Sequence, residues 1–140
     1  MKRTAISLFI FAGVIVGAAP YAQARQCSNA TLKGAYGFQG FATILPAGTP
    51  RAIIGRFLLD GAGNWSATLT MNDNGTIRRI TDSGTYNVNP DCTGTLTPPS
   101  GSLEIVVVDR GREFYQMRTD PAGVVVLYGV TKRQFRESDE

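Results

Sequence analysis

Arg56 and Glu104 are the residues of this chain best placed to do chemistry. Arg56 stands with Ala52, Ile54 and Leu58 on one face of an extended run whose other face is Ile53, Gly55, Phe57 and Leu59. Glu104 stands with Val106 and Val108 opposite Leu103, Ile105 and Val107. Whichever face of each run is buried, a charge among apolar side chains needs a partner in a poorly hydrated place. Were the two to meet, they could orient a ligand carboxylate. Joined by a hydroxyl from Tyr36, Tyr115 or Tyr128, they could carry acid–base work. The plainer alternative is an ion pair in a wall, or a charge at a rim.

Other chemistries are closed off by composition. The chain has no histidine, so the commonest general base, the usual zinc ligand and a Ser-His-Asp triad are all missing. Asp60, Asp73 and Asp91 are the carboxylates nearest to a calcium pattern, but DGAGN (60–64) lacks the acidic series and distal glutamate of a calcium loop and reads as a turn. No metal site and no cofactor are expected.

The two cysteines, Cys27 and Cys92, read as one disulfide. They follow a leader with Lys2 and Arg3 at its start, a short apolar stretch, and Ala22-Gln23-Ala24 at its end, the pattern of an export signal over residues 1–24. An exported chain with a single cysteine pair is oxidised. The expected location is secreted or periplasmic in a bacterium, with no membrane attachment after cleavage and one domain over residues 25–140. Loss of the leader lowers the formal net charge from +3 to +1, because two of the 14 bases and none of the 11 acids lie in it. A nearly neutral chain lacks the positive field that nucleic acid demands, so nucleic acid is not an expected partner.

After the leader no stretch keeps helical spacing, whereas short alternating runs separated by turn residues recur. Strands are expected at 33–44, 52–60, 65–72, 76–80, 84–87, 93–97, 103–109, 113–119 and 124–132. Gly, Pro, Asn and Asp between them (NDNG, NPDC, TPPSG, DRGR, DPAG) supply tight reversals. Connections this short make sequence neighbours antiparallel neighbours in space. The fold expected is all-β, an antiparallel up-and-down β-barrel of about eight strands, with a two-sheet β-sandwich as the alternative. Gly37, Gly40, Gly55 and Gly129 inside strands suit the coiling of a small barrel.

Trp65, Ala67, Leu69 and Met71 alternate cleanly with polar residues, but the runs 52–60, 103–108 and 124–132 are apolar on both faces. Part of the outer wall therefore needs a cover. A homo-oligomer is the simplest one, and residues 29–32 or 46–50 lying across the wall are the alternatives.

At CSNATLKGAYGF (27–38), RFLLDGAGNWS (56–66) and SGTYNVNPDCTGTLT (83–97) the chain resembles a family of small exported bacterial proteins of unassigned function. Such proteins are similar in general form to the antiparallel barrels of the allene oxide cyclase and dirigent group and, more distantly, the lipocalins. The resemblance implies a scaffold, and no catalytic residue is carried over with it. Three functions remain open: a barrel binding a small apolar molecule, a cofactor-independent cyclase or isomerase, and a solid-cored structural or interaction protein. For the first, Arg56, Glu104, Tyr36, Tyr115 and Tyr128 are the expected ligand-binding residues, with the ligand held in the barrel interior.

Overall fold

The computed structural model describes residues 26–134. The leader and the last six residues lie outside that range, and so does the predicted export cleavage. Eight strands follow in order: β1 (Lys33–Ile44), β2 (Thr49–Asp60), β3 (Asn64–Asp73), β4 (Thr76–Val88), β5 (Thr93–Thr97), β6 (Ser102–Val108), β7 (Glu113–Asp120) and β8 (Val125–Arg133). Each pairs antiparallel with the next, and β8 returns to β1, so the sheet closes as an up-and-down barrel. The sandwich alternative is thereby excluded.

The expected strands 76–80 and 84–87 are one continuous strand, β4. Thr81, Asp82 and Ser83 carry no turn signal, but their polarity hid the strand. Both of their faces are largely wet, so alternation had nothing to register.

The inward set is Tyr36, Phe38 and Ala42 on β1, Ile53, Phe57 and Leu59 on β2, and Trp65, Ala67 and Met71 on β3. Tyr86, Val88, Leu96, Leu103, Ile105, Val107 and Phe114 complete it. Aromatic rings fill the interior in edge and tilted contacts, Phe38 on Phe57 at 5.6 Å and Phe57 on Trp65 at 5.3 Å. Glycines make the room. Gly40 and Gly129 face each other across β1 and β8, and a Cβ on Gly40 would stand 2.5 Å from the Phe38 ring. At Gly55 the side chain of Leu69 takes the space. These glycines therefore serve packing inside the wall as well as its curvature.

One end of the barrel is sealed. The disulfide Cys27–Cys92 joins the N-terminal arm to the turn after β4, and Cys27 N–H donates to Pro90 O at 3.1 Å. A short 3₁₀ turn at Asn29–Thr31 then delivers Leu32, fully buried, into the barrel end. The Tyr86 hydroxyl lies 2.7 Å from Leu32 O and 3.0 Å from Asn29 O, Asn29 Oδ1 accepts from Val88 N–H, and the Tyr36 hydroxyl donates to Gly111 O at 2.7 Å. Residues 29–32 thus close the end and do not cross the outer wall, as one alternative had them doing.

Candidate functional site

Alternation along each strand decides where the five expected ligand residues point. Tyr36 is inward and fully buried, its hydroxyl also accepting from Arg133 Nη2 at 3.0 Å. Burial raises its pKa above the ordinary tyrosine value, and the Arg133 contact opposes that rise. It is a structural side chain of the sealed end. Arg56 is outward, with Nε donating to Gln134 Oε1 at 2.9 Å, in a shallow groove of about 440 Å³ with Leu58, Ser66 and Thr68. Glu104 is outward on β6, four strands from Arg56 in either direction around a ring of eight. The two charges sit on opposite sides of the barrel and do not meet. Each answers the apolar-face argument by pointing to water.

Three of the expected residues do converge. Glu104, Tyr115 and Tyr128 line one open groove of about 750 Å³ on the outer wall of β5–β8. Register brings them together: Glu104 lies opposite Met117, Met117 opposite Tyr128, and Val106 opposite Tyr115. The backbone of Gly94 and Gly129 forms part of the floor, their missing side chains lying on the inner face of the wall. Glu104, Asn89, Thr93 and Thr95 supply polar groups around an otherwise apolar surface. Sequence reasoning missed Met117 and Val130. The signal for both was present, since each is an outward neighbour, by strand pairing, of a residue already chosen.

The groove continues into a wider apolar band. Met117, Tyr128, Phe41 and Ala52 stand in one cross-strand row over β7, β8, β1 and β2, with the Phe41 and Tyr128 rings 6.4 Å apart. Phe41, Met117, Val126 and Tyr128 are each more than half exposed. The uncovered wall predicted from two-sidedly apolar strands is therefore real, and no described segment lies over it.

The remaining polar groups have structural partners. Asp60 accepts from the backbone N–H groups of Ala62, Gly63 and Asn64 and from Asn64 Nδ2, which holds its pKa down to about 2. DGAGN is the turn its composition suggested, with Gly61 and Gly63 at positive φ. Asp73 pairs with both Arg51 and Arg78 at the unsealed end. Glu113 pairs with Lys132 at 3.2 Å. Among the described residues no group of three or more Cys, Asp or Glu side chains is placed to hold a metal ion, and no helix is long and apolar enough to cross a membrane. No family model, curated protein or solved structure matches the chain.

Proposed function

We propose that this protein is a secreted or periplasmic binding barrel that takes a small, largely apolar molecule in the β5–β8 outer groove, with Glu104 as its polar anchor. The observation that carries this reading is the convergence of Glu104, Tyr115, Met117 and Tyr128 around one concavity of about 750 Å³. That volume lies within the range of small-molecule sites, and an apolar lining with a few polar groups is their usual chemistry. The groove takes the place of the interior site expected from the sequence, because the interior is occupied by Phe38, Phe57 and Trp65. The disulfide supports an oxidising compartment.

The cyclase or isomerase reading draws less support. Glu104 stands exposed on an open wall, whereas acid–base chemistry on a small substrate is favoured where the site closes and expels water. The groove is tested with the neutral dye Nile red and by mass spectrometry of whatever copurifies. Saturable one-site fluorescence that is lost in Met117→Asp and retained in Leu58→Asp, on the opposite wall, supports the groove. Equal loss in both variants would sink it.

A further inference from the structure

The barrel closes through a narrow seam. β4 is 13 residues long, but its register with β5 covers only Thr85–Val88, while its other edge runs along β3 from Thr76 to Thr85. Over 76–84 the far edge of β4 pairs with no described strand. Tyr86 N–H points to the β3 side, donating to Gly63 O at 2.8 Å, and Asn89 N–H points to the β5 side, donating to Thr93 O at 2.8 Å. Because these directions alternate along a strand, the N–H and C=O groups of Ile77, Arg79, Thr81 and Ser83 face the open edge. Such a row is a template for another strand.

The side chains specify which strand. Arg78 and Asp82 lie two residues either side of Ile80, on the same face. Roughly 13 Å of extended chain separates them, too far to pair with each other. Asp73 is already shared between Arg51 and Arg78, two cations to one anion. Asp82 Oδ1 accepts from the adjacent Ser83 N–H at 2.8 Å and presents its carboxylate on the inner face of the edge.

We propose that this edge pairs antiparallel with β4 of a second copy of the chain, on a two-fold axis at Ile80. In that register Ile80 meets the partner's Ile80 as a non-hydrogen-bonded pair. Arg79 and Thr81 exchange backbone hydrogen bonds with the partner's Thr81 and Arg79, and Ile77 and Ser83 do so with the partner's Ser83 and Ile77, Ser83 N–H leaving Asp82 Oδ1 for the partner's carbonyl and freeing that carboxylate for the partner's Arg78. Arg78 lies opposite the partner's Asp82, twice by symmetry. Moving the axis by one residue to Arg79 sets Arg79 against the partner's Arg79, a like-charge contact that specifies against the slip. Charges placed only to guard an edge would need no such symmetry. Ile77 and Ile80, 52% and 37% exposed, lose water in the pairing.

The test is sedimentation velocity on the disulfide-intact protein across a concentration series. The wild type is expected as a dimer, and D82K and R78E alone each raise the dissociation constant at least about tenfold, since like charges then face each other. An equimolar mixture of D82K and R78E restores a dimer, because one chain keeps Arg78 against the partner's Asp82 while its substituted position 82 meets the opposite charge. I80C should form an interchain disulfide under oxidation, a readout independent of the folding of the charge variants. A wild type monomeric at millimolar concentration overturns the proposal, as does absence of the I80C cross-link. A dimer indifferent to both reversals but lost in Met117→Asp assigns association to the apolar band and also overturns it. Association gained in D82K would show the carboxylate to be a guard against pairing and would overturn it equally.

Discussion

The two ends of the barrel are built on opposite terms. At the sealed end the disulfide ties the arm before β1 to the turn after β4, the Tyr86 hydroxyl ties fully buried Leu32 to β4, and the Tyr36 hydroxyl ties β1 to the segment after β6. At the other end the described cross-links are the Arg51–Asp73–Arg78 cluster and the turns, and the β3–β4 hairpin runs past its neighbour β5 with one edge that pairs with no described strand. The contrast shows how a small domain can divide its labour. Long-range ties concentrate where the chain must be held, leaving the far end available for contact.

The largest test of that contrast is removal of the bridge. With a sequence separation of 65, the chain-entropy model assigns the disulfide about 4 kcal/mol. The C27S/C92S variant should melt roughly 15 °C lower in a calorimetric scan, given typical unfolding entropies for a domain of this size. A change of only a few degrees would show that the buried contacts of Leu32 and Tyr86 hold the arm unaided.

Tyr86→Phe comes next. It leaves Leu32 O without its buried donor, a loss of about 1–3 kcal/mol in chemical denaturation, and the same substitution tests the pH response. Burial raises the pKa of Tyr36 and of Tyr86 above the ordinary tyrosine value of 10.0. A raised folded pKa means full stability below pH 10, declining as pH climbs past it. The melting temperature should fall with alkali in the wild type and fall less in Tyr86→Phe.

Acid should not discriminate the ends in this way. Hydrogen bonds lower the pKa of Asp60, to about 2, and of Asp91 at the sealed end, and the Arg51 hydrogen bond lowers that of Asp73 at the other. Their contribution is present above the unfolded carboxylate value of 3.8 and fades as pH falls below it, at both ends together. The smallest effect expected is in hydrogen exchange at low protein concentration. The amides of Ile77, Arg79 and Thr81 should exchange faster than those of Tyr86 and Val88 on the same strand, and equal protection would contradict an unpaired edge.

Strand order, disulfide and turns were legible because each rests on local signals: alternation at Trp65 to Met71, Gly-rich reversals, one cysteine pair. The inward face of β2 was not, since Ile53 and Ile54 are equally apolar and only closure of the sheet decides between them. Arg56 and Glu104 were separated for the same reason, their relation being a property of the ring and of no single strand. Tyr86 passed unnoticed among the aromatics because its importance lies in the Leu32 and Asn29 carbonyls 54 and 57 residues away. Glu104, Tyr115 and Tyr128 were found singly, and pairing register supplied the Met117 that unites them.

Phe38 has a wider consequence. Its ring lies over Gly40 and Gly129, so one side chain occupies space that several residues on two strands would otherwise share. Gln116, inward on the neighbouring strand and bonded to Thr131 at 3.2 Å, brings an amide into the same otherwise apolar interior. Trimming Phe38 would open a cavity of about one ring beside the Gln116 amide, with Phe57 and Trp65 still filling the rest of the interior, a first step from solid scaffold toward vessel.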